Sequence, residues 1–336
     1  MAKIKVGVIG VGKIGTHHAR ILSRLGNVEL AGVADTNLWR AHLAAWKYKT
    51  LAFRDYRDLL PHVEAAVLAV PTPLHGEIGL EVLQRGIHCL IEKPIASTQE
   101  EAEKLVEASE QKKALLQIGH VERFNPAILQ AIPLIRHPKF ISVERLGPYD
   151  PRVSHISVVL DLMIHDLDIL LSLVPSGVKS LDAVGACLLS DSEDIANARI
   201  RFDSGCVADM SASRISMEKS RKIRIFQDDS YLSIDYLHAS IKICRKKSPV
   251  VKSLKDVAVD YIHLQKTEPL QSQMEHFLQC IRQDREPLVS GEKGMQALKL
   301  GLEILQKLKP YRLQKSEAQA ETPNWLERLT SGRSQE

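Results

Sequence analysis

The chain has 336 residues, of which 44% are hydrophobic and 26% charged, with a formal net charge of +4. That length suits two domains with a core each, and the composition excludes a disordered or fibrous protein. Basic residues are scattered, and the densest run is only Arg245-Lys246-Lys247, so neither nucleic acid nor a membrane is expected as a partner.

Through residue 120 two periodicities alternate. Apolar runs of strand type fall at Ile4–Ile9, Val28–Ala34, Ala65–Val70, Cys89–Ile91 and Ala114–Ile118, with a short, weak strand at Leu51–Phe53. Helical spacing fills the gaps at Ile14–Leu25, Leu38–Trp46, Asp55–Leu60, Gly76–Gln84 and Thr98–Glu110. Strands that are apolar throughout, each followed by a helix, predict a parallel sheet of Rossmann type covered on both faces. After Gly119 the pattern changes. A helix begins near Asn125-Pro126, a strand follows at Phe140–Arg145, then a loop at Gly147–Pro151 and an apolar helix over Val158–Leu173. Six β-like runs come next, at Ser180–Leu188, Asn197–Phe202, Cys206–Ile215, Arg221–Gln227, Tyr231–Asp235 and Ile241–Lys246. Asp203-Ser204-Gly205 and Asp228-Asp229-Ser230 serve as hairpin turns between them. Helices over Glu268–Arg282 and Gly291–Leu308 close the pattern. The expected fold is therefore α/β in residues 1–120 and α+β, with a mostly antiparallel open sheet, in 121–312. Residues 313–336 form a polar tail in which Trp325 and Leu326 stand out.

Five cysteines, Cys89, Cys187, Cys206, Cys244 and Cys280, lie far apart with no CxxC or His/Cys cluster. They read as buried free thiols rather than a disulfide frame or zinc site. Met-Ala-Lys-Ile-Lys runs directly into the first strand, and no window reaches the roughly 20 apolar residues of a membrane span. A cytoplasmic protein is expected.

The first strand leads into Gly10-Val11-Gly12-Lys13-Ile14-Gly15 and a helix. Gly10 permits the tight turn, Gly12 lets backbone approach a pyrophosphate, and Gly15 lets the helix pack close to the sheet. The helix N-terminus, at Lys13 and Ile14, then offers free N–H groups to the phosphates. Asp35, 20 residues after Gly15, ends the second strand at the spacing of an acid that bonds the adenosine ribose. Thr36-Asn37 supplies no arginine for a 2′-phosphate, so NAD is the expected cofactor. The fourth strand ends in Val70-Pro71-Thr72-Pro73-Leu74-His75. Pro71 and Thr72 are expected to wall the nicotinamide half of the site, and His75 either to line it or merely to start a helix. The fifth strand ends in Glu92-Lys93-Pro94, and a lysine there can hold a substrate hydroxyl. Asp161, His165 and Asp168 fall at i, i+4 and i+7 on one apolar helix. A carboxylate one turn from a histidine can orient it and raise its basicity, as a general base requires. The same trio has ligand chemistry, but with one histidine no metal is expected.

In order and spacing, these pieces resemble the Gfo/Idh/MocA family of nicotinamide-dependent oxidoreductases over about residues 3 to 310. The resemblance implies an NAD-dependent sugar dehydrogenase, assembled as a dimer or tetramer, with Lys93 as active-site lysine and Asp161 and His165 bearing on the reacting hydroxyl. Many members carry a glycine pair before that aspartate, where this chain has Ser157-Val158-Val159. A further signature, Gly119-His120-Val121-Glu122-Arg123-Phe124-Asn125-Pro126, is similar to the branch acting on the 3-hydroxyl of UDP-N-acetylglucosamine. That branch feeds 3-amino-sugar synthesis for lipid A, which implies a pathway aminotransferase as a partner. On this reading Arg123 and Asn125 bind substrate, although they can equally be an interdomain salt bridge and a helix cap. The alternatives are another sugar, polyol or nucleotide sugar as substrate, or a non-catalytic nicotinamide sensor.

Overall fold

The computed structural model describes residues 2–151, 154–250, 252–265 and 267–308. The tail at 313–336, with Trp325 and Leu326, lies outside the described residues. Two sheets organise the chain. In the first, β1 (Ile4–Ile9), β2 (Val28–Ala34), β3 (Leu51–Phe53), β4 (Ala65–Leu68), β5 (His88–Ile91) and β6 (Leu116–Ile118) are all parallel, in the order β3-β2-β1-β4-β5-β6. The order reverses between β1 and β4, and that switch point opens a crevice at the carboxyl ends of the strands. Every residue of β4 is buried, which is why its sequence shows no alternation.

Helices cover both faces. On one side α1 (Lys13–Leu22) and α2 (Leu38–Tyr48) pack Leu22, Ala44 and Ala45 over Val6 and Val8. On the other, α3 (Tyr56–Leu59), α4 (His75–Gln84) and α5 (Gln99–Lys112) pack Leu59, Leu83 and Leu105 over Leu68 and Ile91. Local chemistry sets the helix starts. Asn37 accepts from the Arg40 amide and Thr98 from the Glu101 amide, each satisfying a donor the helix itself leaves open.

A short helix, α6 (Pro126–Ala131), leads to the second sheet. Its strands are β7 (Phe140–Leu146), β8 (Val178–Ala186), β9 (Ile195–Phe202), β10 (Val207–Ser213), β11 (Ser220–Phe226), β12 (Ser230–Asp235), β13 (Ser240–Lys246) and β14 (Val257–His263). The order is β14-β13-β12-β11-β7-β10-β9-β8, antiparallel except for the β7–β10 pair. β9 alternates exposed and buried residues along its length, the sign of a sheet covered on one face only. That face packs on α7 (Ile164–Leu173) and the end of α9 (Gly291–Leu308).

Three features depart from the sequence reading. β14 was not expected, because it is an edge strand with no fully buried residue and so carries little apolar pattern. The helix expected to start regularly at Val158 begins instead with a π turn, Val159–Met163, ahead of α7. Cys187 and Cys244 are half-buried rather than buried, whereas Cys89, Cys206 and Cys280 are buried, and none of the five is in a disulfide among the described residues. In addition α8 (Pro269–Gln283) packs Met274, Phe277 and Leu278 against the first sheet, and α9 adds Leu298 on the opposite face. The chain thus returns to its first core after building the second sheet.

Candidate functional site

The crevice at the switch point is a cleft of about 530 Å³. Its walls include Gly10, Gly12, Lys13 and Ile14 from the first turn, Asp35 and Thr36 after β2, Pro71 after β4, and Glu92 and Lys93 after β5. Gly10 has φ +85°, and a Cβ there would sit 2.6 Å from the Ala69 carbonyl oxygen. A Cβ on Gly15 would lie 1.8 Å from the Gly10 oxygen, so Gly15 serves from behind the turn rather than in the cleft. On Gly12 a Cβ would meet nothing within 4 Å. Gly12 therefore borders open space beside the start of α1, where free amides can hold a pyrophosphate. Asp35 accepts from the Val11 amide (3.0 Å) through Oδ2 and from the Asn37 amide (2.9 Å) through Oδ1. Its carboxylate ties the glycine turn to β2 and keeps acceptor capacity towards the cleft.

Two cationic cleft residues escaped the sequence reading. Arg40, from the first turn of α2, and Arg54, directly after β3, both line the nucleotide end. Thr36 and Asn37 supply no arginine, as expected, but Arg40 and Arg54 bring guanidinium groups to the same end of the cleft. Arg40 lies one helical turn beyond Asn37 and had a local signal. Arg54 arrives only because β3 pairs with β2.

Thr72 is half-buried and His75 is buried, and neither belongs to the cleft wall. His75 faces the Pro94 oxygen through Nδ1 (2.8 Å) and the Val70 oxygen through Nε2 (3.0 Å). It staples together the loops that follow β4 and β5. Glu92 is bonded to buried His18 of α1 (2.7 Å), and despite its burial His18 and Lys93 hold its carboxyl below the usual carboxylate range.

At the other end of the cleft, Lys93 donates to the Asp161 carbonyl (2.7 Å) and to the Asp161 carboxylate (3.1 Å). The structure thus unites Lys93 and Asp161, from residues 68 apart. It corrects the expectation that Asp161 orients His165, because the carboxylate is engaged by the ammonium and His165 Nδ1 has no hydrogen-bond partner among the described residues. A full cation outcompetes a neutral imidazole for a carboxylate. Burial, reinforced by Lys93 and Arg145, holds His165 well below its usual pKa, so the ring is neutral.

His120, immediately after β6, completes this end. It was part of the quoted signature but was given no role. It is 0% exposed, its ring stands perpendicular to that of His165 at 5.9 Å, and neither ring nitrogen has a partner among the described residues. Burial and the nearby Lys93 and Arg123 cations push its pKa down to about 3.

Arg123 and Asn125 are not brought to the cleft. Arg123 is buried against Asp168 (3.4 Å), while Asn125 caps α6 through the Ala127 amide and donates to the Tyr236 carbonyl (2.9 Å). Beneath them Arg145 joins Asp166 (2.6 Å) and Glu122 (3.2 Å), and Tyr236 donates to Asp166. This buried network fixes α7, and with it His165, to the second sheet.

The neutral histidines carry a pH signature. A histidine whose folded pKa lies below its unfolded value of about 6.5 contributes stability that is present above 6.5 and is lost as pH falls. His75, His120 and His165 all act in this sense. Asp168, raised to about 6 by burial despite Arg123, acts in the opposite sense, so a variant isolates the effect better than the whole profile. His120→Phe should gain on the wild type by about 2 kcal/mol between pH 6.5 and pH 5, read from urea midpoints. A constant difference across that range would overturn the assignment of His120 as a buried neutral ring.

Comparison with known proteins agrees with this geometry. Residues 4–120 match a family model described as an oxidoreductase family with an NAD-binding Rossmann fold, and residues 147–232 match the GFO/IDH/MocA C-terminal domain. The chain belongs to the Gfo/Idh/MocA family. Among members of this family it is 35% identical over 305 residues to UDP-N-acetylglucosamine 3-dehydrogenase of Acidithiobacillus ferrooxidans, covering 90% of this chain and 97% of that one. A solved structure of that enzyme superposes with a TM-score of 0.86 at 33% identity, covering 93% and 99% of the two chains. The scyllo-inositol 2-dehydrogenase (NAD(+)) of Bacillus subtilis is 24% identical over 89% of this chain and 92% of its own. Levoglucosan dehydrogenase in complex with NADH, at 18% identity, covers 92% of this chain and 98% of its own with a TM-score of 0.83, and shares the fold. The chain is an NAD-dependent oxidoreductase of this Gfo/Idh/MocA group, and the open space at Gly12 with the acceptor at Asp35 suits that cofactor.

Proposed function

We propose that this enzyme oxidises the 3-hydroxyl of UDP-N-acetylglucosamine to the 3-keto sugar nucleotide. The observation that carries the reading is the pairing of Lys93 with Asp161 at the edge of a dinucleotide cleft, with the His165 ring within electrostatic reach of Lys93, in a chain so similar along its length to a dehydrogenase of that substrate. NAD supplies the hydride acceptor when bound. Lys93, held in place by Asp161, binds the reacting hydroxyl oxygen and stabilises negative charge as it develops there. His165, held as a neutral ring, accepts the hydroxyl proton. Arg123 and Asn125 contribute from behind by bracing α7 and α6. The product ketone suits an amine-donor aminotransferase, which would place the enzyme in cytoplasmic 3-amino-sugar synthesis for lipid A.

A panel of nucleotide sugars and polyols, assayed for NADH formation with an aminotransferase to remove the ketone, tests the substrate. UDP-N-acetylglucosamine should give the highest kcat/KM. No turnover of it, with turnover of another sugar, would replace the substrate and leave the mechanism standing.

The outer face of the second sheet supports a homo-oligomer. Phe140, Phe226 and Tyr231 pack there as tilted ring pairs with centroids 5.7 and 4.8 Å apart, and Tyr261 is 63% exposed. A second copy laid on this face covers all of them. Light scattering should report a dimer or tetramer, and a monomer at working concentration would refute the pairing.

A further inference from the structure

Charge is unevenly distributed along the chain. The first 54 residues hold nine Lys and Arg against two carboxylates, Glu29 and Asp35, whereas the other 282 hold 36 against 39. No carboxylate at all lies between Thr36 and Arg54. Helix α2 occupies this stretch. Its underside is Ala41, Ala44 and Ala45, buried against the Rossmann domain. Its outer side presents Trp39, Leu43 and Trp46, which are 71%, 48% and 81% exposed. At 3.6 residues per turn these three fall within roughly 60° of one another. Arg40 and Lys47 flank them on one side, His42 and Lys49 on the other, all exposed. Leu38 and, on the neighbouring strand β3, Leu51 extend the apolar patch.

A single exposed apolar side chain needs no explanation, but a ridge with two of the chain's three tryptophans does. A second copy of this helix would fit poorly, since antiparallel pairing sets the Arg40 and Lys47 cations of one helix beside the same cations of the other. An anionic lipid surface answers both features. Indole rings partition to the headgroup boundary, and flanking cations meet phosphates. We propose that α2 docks the protein on an anionic bilayer surface, with Trp39, Leu43 and Trp46 in the interfacial layer and Lys47 and Lys49 against the headgroups. A helix lying on the surface leaves no spanning run in the sequence, and among the described residues no helix is long and apolar enough to cross a membrane. Arg40 also lines the nucleotide end of the cleft, so the docked face adjoins the site.

Co-sedimentation of the full chain tests this with vesicles of phosphatidylglycerol and phosphatidylcholine in equal parts, against pure phosphatidylcholine. The wild type should pellet with the anionic vesicles only, and less so as salt rises. The W39S/W46S variant should lose that binding with its thermal midpoint unchanged, since both side chains already face solvent. K47E/K49E should weaken it roughly tenfold or more. Absence of vesicle binding by the wild type, or unchanged binding by both variants, would overturn the proposal. So would a fall in oligomeric state of W39S/W46S by light scattering, which would assign the ridge to a contact between copies.

Discussion

His165→Asn and Lys93→Met should each lower kcat by about 10²–10⁴-fold, the usual range for loss of a positioned proton-transfer group. His165 is not part of the cleft wall that takes the dinucleotide, so NAD affinity of His165→Asn should stay within a few-fold of the wild type. The two groups act on one oxygen, so the double variant should lose much less than the product of the single losses. The acid limb of the kcat profile should lie below pH 6.5, because burial, Lys93 and Arg145 keep His165 neutral into the acid range. Steady-state kinetics across pH, with NAD binding followed by fluorescence, reads all of these. A His165→Asn enzyme with near-normal kcat would remove His165 from the proton path and leave Lys93 as the group to examine.

Gly15→Ala should be the most damaging substitution in the cofactor turn. The added carbon would sit 1.8 Å from the Gly10 carbonyl oxygen, a contact that only backbone movement can relieve. Overpacking against side chains costs about 1–3 kcal/mol, and a backbone clash here should exceed that, with loss of NAD binding. Gly12→Ala makes the contrast. Its Cβ would enter open space, so the fold should keep its thermal midpoint while the methyl obstructs the pyrophosphate and weakens NAD binding. Thermal midpoints and NAD titrations of the two variants should therefore separate a folding defect from a binding defect. If Gly15→Ala keeps both its midpoint and its affinity, the close packing of α1 on the turn is not what positions the phosphates.

The buried His120 extends the same logic to a position the sequence left blank. Two orphaned ring nitrogens in a fully buried imidazole are costly. They are tolerated here beside His165 and Lys93, at the place where a reacting group must enter. Nothing local marks His120 for this, since its burial is built from β6 and the neighbouring α7.

The sequence by itself determined the elements whose chemistry is local. Apolar runs without alternation at β1 and β4 require a sheet covered on both faces, and the alternation in β9 requires one covered on a single face. The glycine turn, Asp35 and Lys93 were readable because each sits at a strand end, which a parallel sheet places on one edge. Tertiary structure alone decided which of these groups meet. Lys93 takes Asp161 away from His165 because a strand end and a π turn 68 residues apart converge. Arg123 pairs with Asp168 rather than facing the cleft because both are buried, where an unpaired charge is costly. Arg54 enters the cleft through β2–β3 pairing, and α8 returns to the first core through Phe277. Periodicity records how much of a segment is buried, but the partner that buries it is fixed by contacts far along the chain.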